Sequence, residues 1–483
     1  MLTVSLSSPI LKSLNRLSSF SARCYNRVEG TYEMANIDQS QVVVLPGVRA
    51  SRLGNERDVY VYLPPGYYAD QSKRYPVLYM HVGQHVFEPR KQSGESWAMH
   101  RVADRLISEG LIKPIIIVAV EHKYEDGTSE YFHDLCAYPI RCVGEQYEHF
   151  LIEELKPLID RRFQTLAKAE NTALMGSSAA GIATYNIGLR NPNVFGMLGI
   201  LSPFFMQVDP YTLKETPQYR LYPLNAGQKI WLDIGGAEGF FMTSHVKNVA
   251  EEMLKAGWKQ RDELYYFQDQ EAAHSEWDWS RRAHMPLLHF FGGKGTPVEL
   301  ALEGQNVAGV NGPPVALNAV VTLDNGLRFS DLEGDYRSEH PDILEIAPDG
   351  RLLPKTPGSA NVIYRYEGLE TARAITVVER LSETVEVELE IHVPDSTPED
   401  AEIYATFGVP KLAKGLYGGK IKLPRGVTFD FLITRGYEKE EVDQDYGQLP
   451  YRRLVADKDK KVSYTVKNWI DLRPEPRGGN RKR

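Results

Sequence analysis

Three residues of the 483-residue sequence have the types and surroundings that nucleophilic acyl chemistry requires. Leu174-Met175-Gly176-Ser177-Ser178-Ala179-Ala180-Gly181 follows an apolar β-type run and opens a helical pattern that continues to Arg190, where Asn191-Pro192 stops it. A serine at a tight strand-to-helix turn needs small neighbours, because backbone passes close on both sides, and the helix N-terminus beneath it helps hold an oxyanion. Gly176, Ala179 and Ala180 suit that turn, which makes Ser178, and not Ser177, the candidate nucleophile. Taken alone, a serine among small residues is more often a turn or a helix cap. Two later segments of the chain favour the catalytic reading. Ile230-Trp231-Leu232 leads into Asp233-Ile234-Gly235-Gly236-Ala237-Glu238-Gly239, and Leu264-Tyr265-Tyr266-Phe267 leads towards Glu271-Ala272-Ala273-His274. Serine, acid and histidine each come after a strand-like run, in the chain order of a strand-end Ser-acid-His triad. Glu238 is the preferred acid because it lies beyond its strand; Asp233, still within it, is the rival. The bland alternatives are a surface-loop histidine at 274 and a solvated loop acid at 238.

These residues need a scaffold, and the texture of the chain supplies one. From about residue 42 to 293 short apolar runs alternate with longer helical patterns: Val59–Leu63, Val77–Met80, Ile115–Val120, Ala173–Met175, Ile230–Leu232 and Leu264–Phe267 read as strands. Such alternation predicts a mostly parallel, doubly wound α/β sheet covered on both faces. Trp97–Ile107 and Tyr147–Ile159 carry apolar residues at helical spacing and read as crossover helices. After Gly292-Gly293-Lys294-Gly295 the chain turns to short alternating runs punctuated by Gly, Pro, Asn and Asp, with a break near Val378–Ser382. Two all-β sandwich domains are therefore expected, over residues 298–380 and 383–472, with a leader over 1–41 and a frayed tail over 473–483. The glycine-rich hinge predicts that residues 42–294 stand alone as a soluble, active unit.

Composition narrows the partners. The 56 Lys+Arg against 64 Asp+Glu give a net charge of -8, which disfavours nucleic acid as a partner. No run approaches the ~20 apolar residues of a transmembrane helix. The three cysteines cannot build a disulfide framework, although a Cys136–Cys142 bridge stays open. Residues 1–28 are Ser-rich and basic, with no acid before Glu29. This reads either as an organellar transit segment or as a disordered leader, with Met34 an alternative start that would leave the protein cytoplasmic. His81 and His85 flank a glycine in a strand-to-loop segment and do not read as metal ligands; Glu438–Asp445 lacks a calcium-loop pattern and reads as a solvated hairpin edge.

Tyr75-Pro76-Val77-Leu78-Tyr79, Gly83-Gln84, Gly176-Ser177-Ser178, Asn191-Pro192-Asn193-Val194-Phe195-Gly196, Leu201-Ser202-Pro203 and, most specifically, His274-Ser275-Glu276 with Trp279 and Arg282 carry a family resemblance. Residues from about 57 to 292 resemble the α/β-hydrolase family that includes esterase D, the enterochelin (siderophore) esterases and the esterase domains of xylan-degrading enzymes. The resemblance implies an α/β-hydrolase fold and a serine carboxylic-ester hydrolase, with Ser178 attacking a small-molecule, glycan or siderophore-like ester and His274 as general base. Neither metal nor organic cofactor is required. The sequence departs from the family where Val82-Gly83-Gln84-His85 replaces the frequent Asp-Gly-Gln-Asn, and where Ala180 replaces glycine. An oxyanion hole needs backbone N–H groups only, so Ala179 and Gln84 remain its expected donors. The competing reading is a catalytically weakened scaffold that binds carbohydrate or another partner.

The tail resembles known modules more weakly. Residues 298–378 look like a bacterial immunoglobulin-like domain, and 383–472 are similar to a starch-binding-type carbohydrate module. That similarity implies polysaccharide binding by ring stacking, with Trp469 and Tyr437 as candidate platforms. The alternative is that both are core aromatics.

Overall fold

The computed structural model describes residues 25–28, 31–34, 39–89, 95–123, 127–133, 140–208, 215–224, 227–239, 242–436 and 439–473. Eight apolar segments pair into one sheet: β1 (Gln41–Ala50), β2 (Asn55–Leu63), β3 (Val77–Met80), β4 (Ile116–Val120), β5 (Thr172–Ser177), β6 (Met197–Leu201), β7 (Lys229–Gly235) and β8 (Leu264–Asp269). Their order is β8-β7-β6-β5-β3-β4-β2-β1. β1 and β2 form an antiparallel hairpin, β2 runs antiparallel to β4, and the pairs from β4 through β8 are all parallel. This is the α/β-hydrolase sheet.

Helical segments connect the strands: α1 (Met99–Ser108), α2 (Gly144–His149, continuing through π-helical Phe150–Leu155 into Lys156–Arg162), α3 (Ser178–Arg190), α4 (Met242–Lys255), α5 (Glu276–Arg282) and α6 (His284–Phe291). Period-two side-chain alternation sends Leu78 and Met80 of β3, with Ile117 and Ala119 of β4, into a core covered by α1, α5 and α6. Val77, Tyr79, Ile116 and Val118 enter the opposite core, under α2, α3 and α4. Each fully buried aliphatic side chain contributes about 1.5–3 kcal/mol. The parallel strands therefore read as unbroken apolar runs rather than as alternation.

Beyond residue 296 the described regular structure is β, apart from a single 3-10 turn at Ile470–Leu472. Pro297–Glu303, Asn318–Leu323 and Arg328–Asp331 form one sheet; Val307–Asn311, Asp335–Ser338, Gly358–Tyr366 and Leu369–Arg380 form a second. Their apolar residues merge with the α1/α5/α6 core into one continuous cluster that runs from Tyr62 to Val377. The seam lies along edge strand β8. Tyr265 meets Phe329 edge-on at 5.2 Å, the Arg328 guanidinium stacks on Phe267, and the Gln268 N–H donates to Ser330 Oγ at 3.0 Å. The glycine-rich hinge thus leads into a shared core, not to a detached module. An open edge strand invites foreign pairing, and here the adjoining β unit covers it.

The last unit has its own core around Val387, Ile391, Phe429 and Trp469. Trp469 is fully buried, donates Nε1–H to Thr397 Oγ1 at 2.9 Å and carries the Arg435 guanidinium on its ring. Of the two readings of Trp469, the core aromatic holds and the stacking platform does not; Tyr437 lies outside the described residues. Glu441, expected on a solvated edge, is also buried and takes a bidentate pair of hydrogen bonds from Arg452 at 2.7 and 2.6 Å. Within the expected leader, Tyr25–Val28 and Thr31–Met34 pair antiparallel, while residues 1–24 and 474–483 lie outside the described residues. Cys142 is disulfide-bonded, and Cys24 and Cys136 lie outside the described residues. No helix among the described residues is long and apolar enough to cross a membrane.

Candidate active site

Parallel register brings the carboxyl ends of β3, β5, β6, β7 and β8 to one edge, and every candidate residue stands there. β5 ends at Ser177, and Ser178 turns the chain into α3 with φ 58, in the left-handed region. Gly176 is required just before it, because a Cβ there would lie 2.7 Å from the Ala180 carbonyl oxygen and 2.8 Å from the His81 ring. Val82 after β3 (φ 54) and Ser202 after β6 (φ 42) are left-handed as well. Each such non-glycine residue costs on the order of 1–3 kcal/mol, and a cluster of them on neighbouring strand ends marks a site whose backbone is held in place by its surroundings.

Glu238 and His274 meet at this edge. His274 Nδ1 lies 2.7 Å from Glu238 Oε2. The bound carboxylate fixes the neutral tautomer with its proton on Nδ1, leaving Nε2 as the basic nitrogen. The other carboxylate oxygen, Oε1, accepts from Ser202 Oγ at 2.5 Å, from the Gly235 N–H at 2.7 Å and from Arg282 Nη2 at 3.3 Å. Burial alone would raise the Glu238 carboxyl, but its pairing with His274, the Arg282 charge and the hydrogen bond from Ser202 hold it below its ordinary range. The His274 ring packs edge-to-face on Trp279 and lies 5.4 Å from the ring of Phe204, an exposed residue.

Asp233, the rival acid, points elsewhere. It lies within β7, fully buried, and accepts from Trp231 Nε1 at 2.7 Å and Arg282 Nε at 3.1 Å. Burial pushes it up to about 6 against the pull of Arg282. Its role is to hold Arg282, which in turn holds Glu238. Ser202 completes this network: its Oγ also accepts from Trp279 Nε1 at 2.9 Å and Arg282 Nη2 at 2.6 Å. Sequence reasoning assigned no role to Ser202, Trp279 or Arg282. The i, i+3 spacing of Trp279 and Arg282, which puts both on one face of α5, was the available signal. Ser275 of the His-Ser-Glu motif is the N-cap of α5, with its Oγ accepting from the Asp278 N–H at 3.1 Å.

The expected oxyanion donors follow the carboxyl ends of β5 and β3. Ala179 is the second residue of α3, whose first N–H groups have no intrahelical acceptor. Gln84 sits in the 3-10 turn Gly83–His85. Its side chain accepts the His122 N–H at 3.0 Å and donates to the His122 carbonyl at 3.2 Å, which ties this loop to the end of β4. Among the described residues no side chain caps either helix, and none hydrogen-bonds Ser178 Oγ. His81 is buried with its Nδ1 2.8 Å from the Tyr147 hydroxyl; burial lowers it to about 3, so the ring is neutral packing beneath the elbow. Among the described residues no group of His, Cys, Asp and Glu converges as a metal site.

Residues 50–285 match the family model described as "Putative esterase". This region is an esterase-family domain. The esterase domain is similar to an endo-1,4-beta-xylanase/feruloyl esterase of Xylanibacter ruminicola, 35% identical over 159 residues, which are 31% of this chain and 20% of that protein. A Bacillus subtilis protein, YjcH, is 25% identical over 169 residues, 35% of this chain and 63% of that one. The chain thus spans between a fifth and just under two thirds of these relatives. Among solved structures, a ferulic acid esterase from Anaeromyces mucronatus matches over 56% of this chain and 94% of its own at 20% identity and TM-score 0.41. The enterobactin esterase of Shigella flexneri matches over 52% and 58%, at 15% identity and TM-score 0.39.

Proposed function

We propose that this protein hydrolyses carboxylic esters through a serine-bound acyl-enzyme, with Ser178 as nucleophile, His274 as general base and Glu238 as the acid that orients it. The observation that carries this reading is the 2.7 Å contact between His274 Nδ1 and a buried, multiply held Glu238 carboxylate, at the sheet edge where Ser178 forms its left-handed elbow. Ser178 Oγ attacks the ester carbonyl carbon while its proton passes to His274 Nε2, and the N–H groups of Ala179 and Gln84 receive the oxyanion. The tetrahedral adduct collapses, and His274 returns the proton to the departing alcohol. Water, activated by the same nitrogen, then attacks the acyl-enzyme and releases the acid. Glu238 stabilises the imidazolium and takes no proton itself. The contact between Ser178 and His274 forms with substrate in place, as catalytic hydrogen bonds often tighten only in the reacting complex.

The feruloyl esterase named among the relatives supports a glycan-linked acyl ester as substrate, and the exposed Phe204 ring beside His274 offers an apolar face for an acyl group; a siderophore-like ester is the other candidate. The β units are read as immunoglobulin-like and carbohydrate-module-like. Polysaccharide capture by the last of them loses Trp469 as its platform, since that ring is buried. Hydrolysis of p-nitrophenyl acetate by the full chain, compared with Ser178→Ala and His274→Gln, tests the reading. Turnover in the parent and its loss in both variants is the expected result. A parent without activity, or a Ser178→Ala variant as fast as the parent, overturns it and favours the weakened-scaffold alternative.

A further inference from the structure

The last β unit is hydrogen-bonded to the loops that carry Glu238 and His274. The acid loop lies between two neighbours. On one side the Gly236 N–H donates to the Asp269 carbonyl at 2.7 Å and the Ala237 N–H to the Ala272 carbonyl at 3.0 Å, which zips it to the histidine loop. On the other side the Asp430 N–H donates to the Ala237 carbonyl at 3.1 Å, and Glu238 stands in antiparallel bridge register with Phe429. The Phe429 ring closes over Gly239, where a Cβ would come within 3.4 Å of it. The two-stranded ribbon Thr428–Phe431 with Arg452–Val455 therefore continues into the catalytic loops.

Arg453 spans this arrangement. It is the cross-strand partner of Asp430, and its Nε and Nη2 donate to both oxygens of the Asp430 carboxylate at 2.8 and 2.7 Å. Past the acid loop, Nη2 also donates to the Glu271 carbonyl at 3.0 Å, and Nη1 pairs with the Glu271 carboxylate. Glu271 precedes His274 by three residues.

We propose that Arg453, together with Asp430, is a positioning residue of the esterase site: it clamps the Glu271 end of the histidine loop onto the acid loop, so that the last β unit holds the Glu238–His274 pair in register. This rests on the catalytic reading of Ser178, His274 and Glu238. The Glu271 side chain is 71% exposed, and an ion pair in that setting contributes little. The contact that matters is the guanidinium fork, which engages a carboxylate and a backbone carbonyl at once from one rigid plane. Arg453 touches no substrate, so its loss acts on the geometry of the proton acceptor and not on binding. Misplacement by about 1 Å costs on the order of a hundredfold. The Asp233–Arg282–Ser202 network still holds the Glu238 carboxylate, so a loss of about tenfold is expected.

The test compares full-chain Arg453→Ala and Arg453→Lys with the parent, by p-nitrophenyl acetate kinetics and by hydrogen–deuterium exchange of residues 235–239 and 270–275. The expected result is kcat about tenfold lower in Arg453→Ala with KM within about twofold, faster exchange confined to those two segments, and no more than partial recovery in Arg453→Lys, whose ammonium keeps the charge but not the planar fork. Parent-like kcat and exchange in Arg453→Ala overturn the proposal. So does a loss accompanied by faster exchange throughout the last β unit, which marks a folding role instead. A parent that cleaves no ester while Arg453→Ala still loosens both loops refutes the catalytic reading and leaves the clamp standing.

Discussion

Ser202→Ala should be among the most damaging single-atom deletions in this protein. The hydroxyl receives Arg282 Nη2 at 2.6 Å and Trp279 Nε1 at 2.9 Å and donates to Glu238 Oε1 at 2.5 Å, all of it buried. After its removal Glu238 Oε1 keeps the Gly235 N–H and Arg282 keeps its weaker 3.3 Å contact to Glu238, whereas the Trp279 N–H is stranded. An unsatisfied buried donor costs about 1–3 kcal/mol, and a lost hydrogen bond to a charged group costs about 1.5–3 kcal/mol. With partial compensation the total is about 3–4 kcal/mol. Ser202→Gly separates the hydroxyl from the backbone. Position 202 has φ 42, which glycine adopts without strain, so the glycine variant should be about 1 kcal/mol less destabilised than the alanine variant. Urea unfolding followed by tryptophan fluorescence reads both. Ester turnover of Ser202→Ala should also fall, by about tenfold, because Glu238 loses its closest donor on the side away from His274. A Ser202→Ala protein within about 0.5 kcal/mol of the parent would refute the hub, since such a value belongs to an isolated surface hydroxyl.

The two acids should separate cleanly. Glu238→Gln should lower kcat by about a hundredfold or more with little loss of stability, whereas Asp233→Asn should cost mainly stability because it strands the Arg282 charge; thermal melts beside ester kinetics distinguish them. Burial raises Asp233 to about 6, so between about pH 4 and 6 the unfolded chain has released this proton while the folded chain keeps it. Over that window the parent should lose stability with rising pH relative to Asp233→Asn, and coincident pH-stability slopes in urea titrations would contradict this. Glu238, held low, contributes oppositely: its stabilisation is present above the ordinary Glu range and is lost in more acidic solution. Truncation after Gly295 should yield aggregated protein, because β8 and the α1/α5/α6 core lose the cover of Phe329 and its neighbours; a soluble, active fragment in size-exclusion chromatography would disprove the shared core.

The order of serine, acid and histidine was legible because each comes after an apolar run, and parallel strands bring their carboxyl ends to one edge whatever lies between. The helix expected from the serine turn to Arg190 is α3, Ser178–Arg190, because small residues open it and Asn191-Pro192 ends it. The second crossover helix begins earlier than its apolar spacing suggested, at Gly144, and passes through a π-helical stretch that shifts the register of the buried positions. The Ser202–Trp279–Arg282–Asp233 network was not legible as a unit. Its members come from three segments up to 80 residues apart, and no local pattern reports a long-range hydrogen bond. The fused core escaped notice for a related reason. Tyr265 and Phe329 each look like the apolar half of an ordinary strand, and period-two alternation says which face is buried but not against what. Trp469 reads from sequence as a core aromatic or as a stacking platform, because the local pattern fits both; its burial and its bond to Thr397 decide for the core.

The most direct test of the central claim is to trap the nucleophile as a stable covalent adduct. The full chain is incubated with a serine-directed fluorophosphonate, digested, and its peptides mapped by mass spectrometry. The expected result is one phosphonylated residue, Ser178, labelled much more slowly in His274→Gln, with Ser177 and Ser202 unmodified. Label on Ser177 or on any other serine, or equal labelling in the presence and absence of His274, would contradict it.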